Sequence, residues 1–159
     1  MSRKDYELRN CLLLIVGLLL VGCSGEKNYP ESFDFISKKE SLIGFDSLSE
    51  KDQIIYSVWW LEAEVNNGGF SQYFWNSAGD HANETLSALE KVGAVKTAGL
   101  LKRAMDIAFE GVAPADREAR QSLLALNEQN KEDKLGELDS EFYEYSEDFY
   151  KLINAYIAE

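Results

Sequence analysis

The sequence is poor in the residues that build metal centres and covalent catalytic sites. Its 159 residues include one histidine, His81, and two cysteines, Cys11 and Cys23. Zinc sites of the usual kind need more cysteine and histidine ligands than these. A Ser-His-Asp triad would have to use His81, which lies beside Asp80 at an expected helix start, where polar residues typically cap. We therefore predict no metal, no cofactor and no catalytic residue, and expect that the protein is not an enzyme.

Other compact functional motifs are also missing. No glycine-rich phosphate loop follows a strand pattern, and no calcium loop with the EF-hand spacing occurs. Two pairs of carboxylates could suggest glycoside hydrolysis. Glu62 and Glu64 are two residues apart, however, and do not face each other on a helix. Asp80 and Glu84 lie near a helix N-terminus, where acidic residues are common, so we interpret both pairs as structural.

The N-terminus has the pattern of an export signal. Three basic residues, Arg3, Lys4 and Arg9, precede an uncharged apolar run from Cys11 to Gly22. A helix of that length spans about 18 Å, well short of the ~30 Å hydrocarbon core of a bilayer. The pattern therefore predicts a signal peptide over residues 1–22 rather than a membrane-spanning helix.

The apolar run ends in Leu20-Val21-Gly22-Cys23, which resembles the bacterial lipobox. This resemblance implies cleavage before Cys23 and attachment of lipid to its sulfur, which would make the protein a lipoprotein anchored to a membrane. Ser24 follows the cysteine, whereas an aspartate there would resemble an inner-membrane retention signal. We therefore expect a cell-envelope protein, on the periplasmic face of the outer membrane in a Gram-negative host. The alternatives are an ordinary signal with a chance cysteine and an uncleaved signal anchor.

Acidic residues outnumber basic ones and give the chain a formal net charge of −12. Such a surface repels nucleic acid and anionic headgroups, so no direct nucleic-acid binding is expected. A basic protein or a cationic ligand would be attracted to it. The alternative is that the charge only maintains solubility.

The remainder of the chain has helical rather than strand periodicity. Residues 23–44 are expected to be a flexible tether, with a short helix near 33–36. From Ile54 onward, apolar residues recur at i, i+4, i+7 and i+11. Together with helix caps and stops further along, this pattern predicts an all-α fold, a single compact domain of about six helices over residues 45–159.

Capping and breaking residues set the expected helix boundaries. Ser49 caps the first helix, and the asparagines and glycines of 66–69 stop it. The later helices are expected over 70–76, 80–92, 94–110, 116–126 and 139–158, three of them capped by Asp80, Asp116 and Asp139. Residues 127–136 are expected to be a polar linker. The last helix should turn one stripe inward, formed by Phe142, Tyr145, Phe149, Leu152 and Tyr156.

The segment from Glu64 to Asp80 is dense in residues with special roles. Two glycines permit a tight corner between helices, and Glu64 is expected to accept hydrogen bonds from the first amides of the helix that begins at Phe70. The segment is either a corner over an aromatic core or a small-ligand site that uses Gln72 and Asn76. Its notable residues are Glu64, Asn66, Asn67, Gly68, Gly69, Phe70, Gln72, Tyr73, Phe74, Asn76 and Gly79.

Residues 66–79 resemble the signature of the DNA mimic protein 19 C-terminal-type domain. Residues 86–98, 109–120 and 138–148 resemble later stretches of the same family. The resemblance implies an all-helical domain. It also implies an activity, since the founding member presents acidic side chains like DNA phosphates and so occupies a DNA-binding protein. An exported, anchored protein would not meet cytoplasmic repressors, so here we expect a different basic partner.

Three functions are compatible with these patterns. The first is an acidic interaction domain on a lipoprotein, DNA-mimic-like or immunity-like, that binds a basic protein. The second is a structural envelope lipoprotein with no discrete site, and the third is a ligand-binding or hydrolytic protein centred on residues 64–80. For the first, the expected last helix would turn an acidic face to solvent, formed by Glu141, Glu144, Glu147 and Asp148, with Glu137 and Asp139 just before it.

Overall fold

The computed structural model describes residues 33–126 and 128–158, apart from the side chain of residue 149. The expected signal peptide, Cys23 and the first part of the expected tether lie outside these residues. The described residues form seven α-helices and contain no strand, which confirms the all-α prediction. None of these helices is long and apolar enough to cross a bilayer.

The helices follow one another with short connections. They are α1 (Phe33–Ile43), α2 (Glu50–Trp75), α3 (Ala82–Lys91), α4 (Val95–Phe109), α5 (Arg117–Ala125), α6 (Glu128–Tyr143) and α7 (Phe149–Ala158). Two short 3-10 turns, Phe45–Ser47 and Ser77–His81, flank α2.

Helix α2 lies at the centre of the domain and contacts α1, α3, α5, α6 and α7. Ile54, Val58, Leu61 and Val65 are buried along it, as the helical spacing predicts. Its N-terminus is capped by Ser49, whose side chain accepts a hydrogen bond from the Asp52 backbone. Because α2 is surrounded by the other helices, the corner within it positions most of the domain.

The short helix expected near 33–36 is confirmed but is longer than expected: residues 33–43 form α1. This helix packs on the domain, so the expectation of a flexible tether is wrong for these residues. Phe33 and Ile36 are buried, and the Phe33 ring stacks on Trp59 at 3.7 Å between centroids. Two apolar side chains one turn apart are enough to dock a short helix when a large aromatic surface is available.

The C-terminal part also differs from the expectation. Residues 128–143 form one helix, α6, where a polar linker was expected, and Asp139 lies inside it rather than at its start. The inward stripe of α6 is Leu135, Leu138 and Phe142. The chain then leaves the helix, with Tyr145 at φ 45°, and α7 begins a new stripe. The first half of α6 consists mostly of polar residues that favour helix, and it has too few apolar residues to show helical periodicity.

Of the two other predicted helix caps, one is confirmed and one is wrong. Asp116 accepts a hydrogen bond from the Ala119 backbone and caps α5, as predicted. Asp80 does not cap α3, which begins at Ala82. Instead Asp80 lies in the preceding 3-10 turn, where two arginines reach its carboxylate.

Candidate functional site

The two glycines form a sharp corner within α2. Gly69 has φ 77°, a left-handed conformation that a residue with a Cβ adopts only with strain. The Phe70 N–H, which the corner leaves without a helical partner, donates to Asp139 Oδ1 of α6 at 2.8 Å. Asp139 is therefore the acceptor for the second half of α2, and the expectation that Glu64 fills this role is wrong.

Glu64 binds side chains instead of backbone amides. Its Oε2 accepts hydrogen bonds from Gln72 Nε2 at 2.7 Å and from Asn76 Nδ2 at 2.9 Å. The corner thus places on one face three side chains that come from both of its arms. The polar groups that a ligand in this segment would use are hydrogen-bonded to one another.

The aromatic residues of the corner belong to the core. Phe70, Tyr73 and Phe74 are fully buried. The Phe70 ring meets Phe142 edge to face, with centroids 5.8 Å apart, and the Tyr73 hydroxyl donates to Thr85 Oγ1 at 3.0 Å. Such pairs stabilise a core beyond the area that they bury.

Asn66 lies on the surface of the corner, where its Nδ2 donates to the Tyr145 hydroxyl at 2.7 Å and to the Glu62 carbonyl. Its neighbours Asn67 and Gly68 are exposed. The corner therefore also holds the segment that joins α6 to α7.

Arg120 of α5 is fully buried and ties down the end of the corner. It donates to the carbonyls of Phe74, Asn76, Pro114 and Ala115, and to Asp80 Oδ1 at 2.5 Å. Burying a cation is costly unless its donors are satisfied, and here the guanidinium is surrounded by acceptors. The role of Arg120 is not predictable from the sequence, because Phe74, Asn76 and Asp80 are at least 40 residues away in the chain.

Arg120 restricts which residue fits at position 79 and lowers the pKa of Asp80. A Cβ at Gly79 would lie 2.7 Å from the Tyr73 carbonyl oxygen and 2.9 Å from Arg120 Nε, so only glycine fits. Burial alone would raise the pKa of Asp80, but the hydrogen bonds and charges of Arg117 and Arg120 together lower it below its ordinary value.

A second buried polar side chain of α2 is Glu62. Glu62 is only 2% exposed and accepts hydrogen bonds from the hydroxyls of Tyr145 and Tyr150. These contacts join α2 to the start of α7. The spacing from Glu62 to Glu64 gave no sign of this role, since the two tyrosines lie more than 80 residues away.

The six residues of the expected acidic face do not share one outer surface. Asp139 is half-buried at the corner, and Glu147 accepts hydrogen bonds from the Lys96 and Thr97 amides at the start of α4. Asp148 accepts one from the Lys151 amide at the start of α7, and Glu141 pairs with Arg103 through two bonds of 2.7 and 2.8 Å. Only Glu137 and Glu144 point to solvent without such a contact in the described chain.

Three exposed carboxylates lie on the outer side of α6 and of the turn that follows it, and we call Asp133, Glu137 and Glu144 the outer stripe. They are exposed, and their spacing of four and seven residues places them opposite the buried Leu135 and Leu138. None of the three forms an ion pair with a described lysine or arginine.

The described residues offer little for metal or small-ligand chemistry. No group of histidine, cysteine, aspartate and glutamate among them could hold a metal ion. A groove of about 590 Å³ between α4 and α6 is lined by Asp106, Ile107, Glu110, Asn130, Lys131 and Lys134. Ligand pockets are mostly apolar, whereas this lining has one apolar side chain.

Comparison with known proteins identifies the domain. Residues 46–159 match the family model described as DMP19-like protein, a stretch that includes the corner, Arg120 and the outer stripe. No curated protein and no solved structure matches the chain. Because the family model covers more than half of the sequence, the chain belongs to the DMP19-like protein family.

Proposed function

We propose that this protein is a lipid-anchored envelope protein whose acidic helical domain binds a basic protein partner through the outer stripe. The observation that carries the proposal is the difference between two sets of carboxylates in residues 128–148. Asp139, Glu141, Glu147 and Asp148 are engaged inside the domain. The carboxylates of the outer stripe are exposed and form no ion pair with a described lysine or arginine.

Electrostatics supports this assignment of the surface. Asp133 and Glu137 are four residues apart on α6, and like charges at that spacing repel each other by a few tenths of a kcal/mol, so this pair costs the isolated domain stability. A basic partner would relieve that repulsion and would be steered toward the stripe by the net charge of −12. The family resemblance, in which acidic side chains imitate DNA phosphates, points to the same class of partner.

The domain acts by binding rather than by catalysis in this proposal. Glu64 is occupied by Gln72 and Asn76, and His81 stacks on the Phe45 ring at 3.8 Å between centroids. Groups that could serve as acid or base near the corner thus have structural partners.

Lipid anchoring rests on the lipobox-like Leu20-Val21-Gly22-Cys23 at the end of a short apolar run. Several acyl chains on one residue hold a protein stably, whereas one chain binds only marginally. We expect Cys23→Ala to abolish incorporation of a fatty-acid probe during growth. Equal labelling of this variant and the wild type would contradict the anchoring.

Binding is tested with two variants of equal charge. In the first, the outer stripe is neutralised by Asp133→Asn, Glu137→Gln and Glu144→Gln. In the control, three exposed acids elsewhere are neutralised by Asp46→Asn, Glu84→Gln and Glu90→Gln. We expect the stripe variant to capture less basic protein from envelope extract at low salt, while the control captures as much as the wild type.

A purely structural envelope role is the second candidate, because four of the six acids in the expected face stabilise the domain itself. The same experiment separates the two functions. A structural protein would show no difference between the stripe variant and the control at any salt concentration.

A further inference from the structure

The outward face of α1 exposes apolar side chains that nothing in the described chain covers. Phe35 is 68% exposed and Leu42 is 75% exposed. The two are seven residues apart and therefore lie on one face, about two turns from each other. Ile43, 47% exposed, lies at the edge of this face. The opposite face of α1 is the one that carries Phe33 and Ile36 into the core.

This face differs from the rest of the surface. Among the other exposed aliphatic residues of the described chain, Val95, Val112 and Leu126 occur singly on separate elements, as is usual for soluble domains. Lys38 lies between Phe35 and Leu42 and is exposed, and Lys39 beside it pairs with Asp52 at 2.8 Å. An apolar face that carries the exposed Lys38 is suited to a surface of lipid headgroups.

The anchor keeps this face near a bilayer. Phe33 follows Cys23 by ten residues, and a chain of that length reaches at most about 36 Å when fully extended. A site held so close to its target experiences an effective concentration on the order of millimolar. Even a small apolar contact is then occupied for much of the time.

We propose that α1 lies on the bilayer that holds Cys23, with Phe35 and Leu42 at the boundary of headgroups and acyl chains and Lys38 at the headgroup phosphates. The proposal rests on the lipid anchoring proposed above. A second copy of the chain is the other occupant of an apolar face, but two strongly acidic domains repel each other. Contact through α1 fixes the orientation of the anchored domain, and so decides which surfaces a partner can reach.

The test uses the full, lipid-modified protein reconstituted in vesicles of phosphatidylethanolamine and phosphatidylglycerol. Leu42→Cys is labelled with a fluorophore whose emission shifts to the blue in lipid. Val112→Cys is the matched control, because Val112 is 76% exposed and lies in the connection between α4 and α5. Cys11 leaves with the signal and Cys23 is acylated, so each variant has one reactive thiol.

We expect a blue shift at residue 42, and quenching there by nitroxide-bearing lipid, with neither effect at residue 112. Emission typical of water at both positions in protein that floats with the vesicles would overturn this inference and leave the anchoring intact. Protein that fails to float would overturn both. A blue shift at residue 42 that is not quenched by nitroxide-bearing lipid and that increases with the amount of protein per vesicle would mean that a second copy covers α1. That result also overturns the inference.

Discussion

At the scale of single residues, Gly69 makes the corner, and two features of the structure exclude other residues there. Its φ of 77° is left-handed, and an added Cβ would lie 2.7 Å from Asp139 Cγ. We expect Gly69→Val to lower the free energy of unfolding by about 1–3 kcal/mol. Gly99→Ala is the control, since Gly99 lies inside α4 with open space around it, and alanine should stabilise it by about 0.5–1 kcal/mol. Thermal melts that rank the two variants in the opposite order would contradict the corner geometry.

Arg120 and Arg117 both bind Asp80, but only Arg120 is buried. Arg120→Met leaves several buried carbonyls without a donor, so we expect a loss of about 3–5 kcal/mol in the free energy of unfolding. Arg117→Gln removes an exposed partner of the same carboxylate and should cost less than about 1 kcal/mol. Denaturant titrations measure both values. Equal losses would mean that the buried arginine does not hold the end of the corner.

Asp139 should give a pH dependence of stability opposite to the usual one for a carboxylate. Burial raises its pKa above the ordinary value of 3.8, although the Phe70 N–H opposes the shift. The folded state therefore keeps the proton to higher pH than the unfolded chain does, and the stabilisation that this gives is lost as pH rises through the folded-state pKa. Asparagine retains an acceptor for the Phe70 amide without the charge.

We therefore expect Asp139→Asn to gain stability relative to the wild type as the pH is raised from about 3 toward neutrality. Denaturant midpoints at several pH values measure this difference. Asp139→Ala has no acceptor and should cost about 1 kcal/mol. A difference between wild type and Asp139→Asn that stays constant with pH would show that this carboxylate is not desolvated.

Residues with local roles are predictable from the sequence, whereas residues whose partners are distant in the chain are not. The glycine corner and the caps Ser49 and Asp116 follow from neighbours a few positions away. Arg120 binds groups more than 40 residues earlier. Its role depends on how α5 packs against the corner, which no local pattern encodes.

At the scale of elements, the connection between α6 and α7 is fixed by Glu147. The N-cap of α4, Ala94, has no side-chain acceptor, and the Glu147 carboxylate bonds the Thr97 amide at 2.9 Å and the Thr97 hydroxyl at 3.0 Å. A carboxylate at a helix N-terminus also interacts favourably with the helix dipole.

We expect Glu147→Ala to lower the free energy of unfolding by about 1–2 kcal/mol. Glu144→Ala, three residues earlier and exposed, should change it by less than about 0.5 kcal/mol. Thermal melts compare the two directly. If Glu147→Ala leaves the free energy of unfolding unchanged, α4 does not depend on this carboxylate.

Helix existence was predictable for most of the chain, whereas several boundaries were not, and two of them lie near the end of α6. Asp139 looks like a helix cap because an acidic residue precedes an aromatic stripe, yet it lies inside α6 and serves α2. Tyr145 looks like a member of that stripe, yet its positive φ ends the helical run. In both places a tertiary contact, with the corner or with Glu62, overrides the local preference.

At the scale of the whole molecule, the acidic charge serves two purposes. One set of carboxylates caps helices and pairs with arginines, and it joins α6 to α2 and α4, and α5 to the turn that follows α2. The other set, the outer stripe, is exposed and forms no ion pair with a lysine or arginine of the described chain. Composition predicts the total charge but cannot separate the two sets, because the separation depends on which side of α6 faces α2 and α4.

The central claim is that the outer stripe steers a basic partner, and the association rate tests it most directly. The rate is measured by stopped flow against the basic protein recovered from envelope extract, across a range of salt concentrations, for the wild type and the two triple variants. Charge-steered association is fast at low salt and slows as salt is added. We predict that neutralising Asp133, Glu137 and Glu144 slows association at low salt and flattens its salt dependence, while neutralising Asp46, Glu84 and Glu90 leaves both close to wild type. Indistinguishable rates for the two triple variants would contradict the account and leave solubility as the role of the charge.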